Sequence, residues 1–418
     1  MSVDARAAFR HAPFRRFQTA KLIGVVAVQM VSVAVGWQVY SMTGRALDLG
    51  LVGLVQFLPQ LLLFPVTGTV VDRFDHRRIL MVCYAIYAVA ATALALLAWS
   101  QPTTPLPIYA VLVLFALARS LGSPAHSAIL PQLVPMEDFG NAVTWSSSLW
   151  SIGAIVGPAV GGLVYGATGQ AWAVYAGAAA GFLVCLVMLA RVAARPATRA
   201  SAERTFAHFF TGLRFIWRRP VLFSAITLDL FAVLFGGAVA LLPIYAKDIL
   251  HAGPWELGLL RASPSLGAAS MAIFLSYRPL GGRAGLKLLA AVTVFGLATI
   301  AFALSTSLAI SMVALAITGL ADEVSVVIRS NLTQLSTPEH MRGRVSAAEF
   351  VFIGVSNEIG ELESGIAATF LGPVGAALLG GIGSLVVVVG AALFAPALRK
   401  VNHLSLEELG PHRFPDEG

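Results

Sequence analysis

Charge is scarce in this chain. Of 418 residues only 12% are Asp, Glu, Lys or Arg, against about a quarter in an ordinary soluble domain. Lysine is nearly absent: there are four, none preceded by glycine, so no phosphate-cradling G-K-[ST] loop exists and the chain carries no nucleotide site of that kind. The two cysteines, Cys83 and Cys185, lie inside apolar runs; they form no disulfide framework and say little about redox compartment. The eight histidines are scattered, and neither His-Glu-x-x-His nor His-x-x-Glu-His occurs. No metal, cofactor or catalytic cluster is expected, and an intramembrane enzyme is set aside. No cleavable signal is read: the first apolar run is of full span length and lacks a small-residue cleavage site, which marks it as a retained helix.

What is abundant is apolar surface. The chain is 57% hydrophobic with mean hydropathy +0.81, more than a soluble fold of this length buries. Runs of about twenty apolar residues, each able to cross ~30 Å of hydrocarbon as a helix, fall near 22–43, 50–71, 79–99, 107–124, 141–166, 171–193, 221–245, 256–277, 286–305, 308–329, 346–368 and 372–396. Open strands would leave backbone groups unpaired in lipid, and the short alternating segments of a barrel are missing. The expectation is an all-α membrane protein of twelve spans.

Net charge is +7, and its placement argues against nucleic acid. Basic residues occupy the start (Arg6 to Lys21), the stretch after span 2 (Arg73, Arg77, Arg78), the stretch after span 6 (Arg191 to Arg219), and the segments after spans 8 and 10 (Arg278 to Lys287; Arg329, Arg342, Arg344) and at the end (Arg399, Lys400, Arg413). These are alternate loops. The opposite side has only Arg45, Lys247 and Arg261. The positive-inside rule then places both termini in the cytoplasm.

The two halves echo each other at an offset near 203. Phe14-Arg15-Arg16 matches Trp217-Arg218-Arg219, Pro131–Pro135 matches Thr333–Pro338, and Gly157 and Gly162 fall on Gly360 and Gly365. Such a repeat puts a substrate site between the halves at mid-membrane. The organisation read is 1–194 as an N-terminal six-helix bundle, 195–219 as a cytoplasmic linker, 220–400 as a C-terminal six-helix bundle and 401–418 as a cytoplasmic tail.

Between spans 2 and 3 sits Gly68-Thr-Val-Val-Asp72-Arg73-Phe-Asp75-His-Arg77-Arg78. This cluster resembles the helix 2–3 loop of the major facilitator superfamily of secondary transporters. The resemblance implies two pseudo-symmetric six-helix bundles and a cytoplasmic latch: Gly68 for close packing, Asp72 facing the positive N-terminus of span 11, and Arg73, Arg77 and Arg78 reaching carboxylates or anionic lipid. Plain positive-inside anchoring explains the arginines but not Gly68 and Asp72. The matching loop from Ser276 to Lys287 lacks the aspartate, so one latch is expected.

Span 5 carries Gly153, Gly157, Pro158, Gly161 and Gly162. Small residues at this spacing permit close helix approach and Pro158 invites a bend; the pattern resembles the fifth-helix motif of exporters that work by antiport. Gly36–Tyr40, Leu49–Gly53, Met341–Val345 and Asn357–Gly365 further resemble the bacterial enterobactin-exporter-like group, which includes macrolide and multidrug efflux proteins. The resemblance covers residues 10–400 and does not name a substrate.

Charges at lipid depth cost roughly 2.5–3.5 kcal/mol each on insertion scales and need a partner, a wet cavity or a proton. The candidates for proton coupling are Asp229, Asp322, Glu323, Glu358 and Glu361. Glu358 and Glu361 share a helix face, so mutual repulsion favours a proton on one of them; Glu363 points elsewhere. Arg261 and Glu349 lie near helix ends, where they could simply snorkel. Arg119 and Asp322 occupy matching positions in the halves and could pair or simply be hydrated. His126 is read as a turn residue. Gln29, Trp37, Gln38, Arg119 and Asn357 are the substrate-cavity candidates; Trp145, Trp150 and Tyr245 could line it or serve as packing. The functional reading is a proton-coupled exporter of a small amphipathic molecule, in the inner membrane of a bacterium and monomeric, with protons, membrane lipid and substrate as partners. The alternative is a facilitator or importer of the same fold whose carboxylates only shape the site.

Overall fold

A computed structural model describes residues 6–192, 206–402, 404 and 409. Among them there is no strand, and eleven helical stretches are long and apolar enough to cross a bilayer. The helices are α1 (Ala12–Thr43), α2 (Ala46–Arg73), α3 (His76–Trp99), α4 (Leu106–Ala128), α5 (Phe139–Thr168), α6 (Ala171–Ala190), α7 (Phe206–Arg218), α8 (Pro220–Phe235), α9 (Leu242–Ile244), α10 (Pro254–Tyr277), α11 (Ala284–Leu304), α12 (Leu308–Ser336), α13 (Glu339–Phe394) and α14 (Pro396–Arg399).

Two spans depart from simple rods. Spans 11 and 12 run together as α13, 56 residues long. A straight helix of that length would measure about 84 Å, far beyond the hydrocarbon thickness. The break comes at Gly372, whose φ of 72° lies in the left-handed region that only glycine enters cheaply, followed by Pro373. The chain thus makes two crossings there, twelve in all among the described residues. Span 7 is discontinuous: α8 ends at Gly236-Gly237, and a 3₁₀ turn, α9 and a π turn carry it on to Ile249. A Cβ on Gly237 would fall 2.7 Å from the Ser364 Oγ, so α13 closes against the gap.

The chain divides into two compact units, Met1–Gly44 with Val55–Arg204 and His251–Ala262, and Arg45–Leu54 with Thr205–Leu250 and Ser263–Gly418. In the first, Phe14, Phe17, Leu80, Leu94, Leu112 and Phe182 form a dry core, and Tyr87 stacks on Phe182 at 5.2 Å. The span 5 glycines decide how α5 seats. Cβ atoms on Gly157 and Gly161 would lie 2.6 Å from Gln29 Cβ and 2.8 Å from Met30 Cα of α1, and one on Gly162 would lie 2.9 Å from Gly258 Cα of α10. Without side chains the backbones meet directly, the geometry that small residues permit.

In the second unit Leu222, Leu228, Leu288, Val292, Ile328 and Leu332 are buried together. The start of α2 packs on α13 in this unit: a Cβ on Gly50 would come 3.2 Å from Leu362 Cα, and one on Gly365 3.0 Å from Gly50 Cα. The expected linker, 195–219, lies outside the described residues up to Thr205; beyond it, Phe206–Arg218 is helical. Most of the expected tail also lies outside them, but Val401 and Leu409 are buried in the core of the second unit. The Ala284 and Gly285 amides donate to Asn402 and Val401 carbonyls. Large apolar side chains such as Leu96, Val386 and Phe394 stand exposed along the spans, as lipid-facing helices require.

Candidate functional site

The strongest concentration of buried charge is in the second unit, where α8, α12 and α13 meet. Arg329 Nη1 lies 2.9 Å from Asp229 Oδ2 and 3.8 Å from Glu349 Oε1. The Arg329 and Asp229 side chains are 6% and 7% exposed, so the cation is enclosed between two carboxylates. Ser325, one turn before Arg329 on α12, donates its hydroxyl to Asp229 Oδ1 at 3.2 Å. Spacing explains the convergence: Asp322, Ser325 and Arg329 fall at i, i+3 and i+7 on α12, one helical stripe. Asp229, Asp322 and Ser325 line a small cavity with Ala232, Val233, Ala291, Val292, Phe295 and Ala321. Two acids and a hydroxyl on an otherwise apolar wall make a polar spot inside a dry bundle.

This arrangement corrects two expectations. Arg329 was counted with the loop cations after span 10; α12 instead continues to Ser336 and carries Arg329 into the bundle. Glu349 does not snorkel outward: its carboxylate, 13% exposed, turns inward to Arg329. A sequence signal existed for both, namely an arginine and a glutamate beside apolar runs with an unmatched Asp229 in a neighbouring span, but the pairing itself is tertiary. Glu323 is partly buried on α12.

Glu358 and Glu361 are partly buried on α13. Glu361 lies at the α2 contact, where a Cβ on Gly53 would come 2.6 Å from its Oε2. Glu363 sits on another face, in a shallow groove with Ile359, Leu362, Ile366 and Ala367; the Ser364 hydroxyl donates to it at 3.5 Å. Asn357 is exposed and its amide donates to the Ile353 carbonyl at 2.9 Å.

In the first unit Gln38 is buried and accepts a 2.7 Å hydrogen bond from the Tyr175 hydroxyl. Trp37 meets Tyr165 edge-on with centroids 6.4 Å apart, and Gln29 packs beneath Gly157. Arg119 is exposed on α4. Trp145 packs on Phe9, and Tyr245, in the second unit, is buried with its hydroxyl on the Ala303 carbonyl; both serve packing. Trp150 is exposed. His126 is a half-buried residue in the last turn of α4 rather than a loop turn, its Nε2 3.4 Å from the Tyr84 hydroxyl. Arg261 does not simply snorkel; its guanidinium donates to the Ser32 hydroxyl.

Within the 68–78 cluster, Asp75 caps α3 by accepting from the Arg78 amide at 2.8 Å. Arg77 directs its guanidinium to the Leu189 and Ala190 carbonyls, the open C-terminal end of α6, rather than to a carboxylate among the described residues. Arg16 donates nearby to the Arg191 carbonyl at 2.7 Å. Asp72 and Arg73 are exposed at the end of α2. No cluster of three or more metal-ligating side chains occurs among the described residues.

The profile of the family described as transmembrane secretion effector matches residues 3–416. Relatives include enterobactin exporters of Shigella boydii, 27% identical over 382 residues, and of Citrobacter koseri, 26% identical, each match covering 91% of this chain and 88% of the relative. Among solved structures, a point mutant of the nucleoside transporter NupG superposes with TM-score 0.73 at 14% identity, covering 91% of this chain and all of that one. A bacterial homologue of the iron transporter ferroportin gives 0.68 at 15%, covering 90% and 98%. These likenesses establish the major facilitator fold. The chain is a multi-pass membrane transporter and belongs to the transmembrane secretion effector family of the major facilitator superfamily.

Proposed function

We propose that the chain is a proton-coupled exporter of a small amphipathic molecule, such as a drug or a siderophore, working by alternating access as a monomer in the bacterial inner membrane with both termini cytoplasmic. The observation that carries this reading is Arg329 held between Asp229 and Glu349 on separate helices. A buried cation flanked by two carboxylates can trade partners. A proton arriving on Asp229 removes its charge and leaves Arg329 to Glu349; loss of that proton reverses the exchange. The protonated state matches the buried charges one to one, which low-dielectric surroundings favour; losing the proton leaves one carboxylate in excess and sets α8 differently against α12. Asp322, on the wall of the same cavity, and Glu323 beside it are further proton carriers.

Glu358 and Glu361 form a second carboxylate group. Glu361 is covered by the start of α2 at Gly53, so parting α2 from α13 would wet it. Asp72 with Gly68, Arg73, Arg77 and Arg78 acts as the latch that one state makes and the other breaks. The span 5 glycines with Pro158 provide the close helix contact on which the bundles rock. Gln29, Trp37, Gln38, Arg119 and Asn357 remain the proposed cavity residues. The names of the enterobactin exporters favour export and a siderophore-like cargo.

Everted vesicles containing the chain test this. A fluorescent lipophilic cation, a macrolide and a siderophore are offered in turn while lumenal pH is followed. Uptake that alkalinises an acidic lumen and collapses with a protonophore is expected for a transported compound. Uptake indifferent to the protonophore removes proton coupling and leaves the facilitator.

A further inference from the structure

We propose that the exposed face of α7 is a binding site for the headgroups of anionic phospholipids. At 100° per residue, Phe210, Arg214, Trp217 and Arg218 fall within an arc of about 100°. All four are exposed, Phe210 at 55% and Trp217 at 64%. The opposite face is sealed to the protein. Ile216 is buried with Val345, Ala348 and Ile226, Gly212 abuts the Arg344 backbone of α13, and the Arg219 guanidinium sits 5.1 Å over the Phe215 ring. The helix is therefore fixed in rotation, and the face it presents outward combines two aromatics with two guanidinium groups.

Depth selects the ligand. The Trp217 ring stacks on Phe223 with centroids 6.1 Å apart and planes at 29°. Phe223 belongs to the first turn of α8, a membrane span that begins at Pro220. Trp217 thus lies where the span enters the bilayer, the level that tryptophan favours. Arg214 and Arg218 lie on the same face, and neither has a carboxylate within ion-pair distance among the described residues. Guanidinium groups at headgroup level meet phosphates, and their planar donors suit phosphate oxygens. A nucleic acid or acidic protein would not account for a large exposed aromatic where the span enters the bilayer. Because Gly212 touches α13 little more than a turn before Glu349, lipid bound on α7 also bears on the helix that carries part of the charge cluster. The proposal does not depend on which ion drives transport.

The test uses full-length protein in phosphatidylcholine nanodiscs carrying either brominated phosphatidylglycerol or brominated phosphatidylcholine at equal mole fraction. Quenching at Trp217 is isolated by subtracting the Trp217→Phe variant. Phosphatidylglycerol is expected to quench Trp217 preferentially. The double variant Arg214→Gln/Arg218→Gln should weaken that preference about thirtyfold, the loss of two surface arginines, and Arg214→Lys/Arg218→Lys should keep most of it. Thermal unfolding confirms that each variant is folded; should the glutamine pair not fold, the lysine pair at raised salt, where the preference must fall, takes its place. Equal quenching by both lipids, no quenching of Trp217, or a preference that survives removal of both charges overturns the proposal. So does competition by soluble glycerophosphoglycerol at the concentration of the lipid, which would make this an anion site rather than a lipid site.

Discussion

Arg329→Met removes the only cation from the described triad and leaves Asp229 and Glu349 facing each other in a site from which water is nearly excluded. Breaking a buried ion pair by deleting one partner costs about 3–5 kcal/mol, because the remaining charge is uncompensated; with two stranded carboxylates the upper part of that range is expected. Asp229→Asn is milder. Arg329 keeps Glu349 at 3.8 Å, and the new amide oxygen still accepts from Ser325, so the loss should be about 1–3 kcal/mol. Joining the two changes removes a charge of each sign, and the double variant should be more stable than Arg329→Met alone. The resulting coupling energy is about 2 kcal/mol. Denaturant unfolding in one detergent, with wild type, both single variants and the double variant in parallel, measures the cycle. Strict additivity, or Arg329→Met within about 0.5 kcal/mol of wild type, would refute the idea that this pair is a matched buried unit. Protonophore-sensitive uptake by the same four proteins then reads the coupling role. The double variant should fold yet fail to accumulate substrate, separating stability from transport.

Three other variants and one control probe other parts of the chain. Asp72→Asn should insert normally and slow turnover; unchanged initial transport rates remove the latch. Glu358→Gln with Glu361→Gln should abolish proton-driven accumulation while counterflow exchange continues, and persistent accumulation means that these acids do not carry the proton. Gly161→Leu should lower stability by about 1–3 kcal/mol or more, because even its Cβ would press 2.8 Å from Met30 Cα, backbone that has no room to yield. Gly140→Ala, with open space around the added methyl, is the control and should stay within about 0.5 kcal/mol of wild type.

Legibility in the sequence followed the solvent. Lipid demands apolar side chains and internally satisfied backbone over a fixed length, so the number and order of the spans could be read, though not all their ends: α1 starts at Ala12 rather than 22 and α12 runs on to Ser336. The runs expected at 346–368 and 372–396 meet at Gly372, which only its backbone conformation reveals as a left-handed break within continuous helical geometry. The Gly153, Gly157 and Gly161 stripe was also legible, because i+4 spacing names a face before its partner is known. Arg329 was not. At the end of an apolar run a guanidinium looks like an anchor, and whether α12 stops there or continues two turns depends on what packs around those turns. Cys185, read only as an intramembrane thiol, donates to the Ala20 carbonyl at 3.1 Å, a contact between α1 and α6 that no local pattern encodes. In the sequence the 206–218 stretch reads as linker because its arginines interrupt the apolar rhythm. Its helical face emerges once Ile216 and Gly212 have α13 to pack on.

The amino-acid sequence by itself determined that the protein lives in a membrane as apolar helices and which superfamily it resembles, since these depend on composition and on spacing along one helix. Which carboxylate meets which cation, where Arg77 ends its reach and which face of α7 points outward were decided only by tertiary structure. Such contacts join residues far apart in the chain, about a hundred positions in the case of Asp229 and Arg329, and their energies depend on burial that no single helix creates alone.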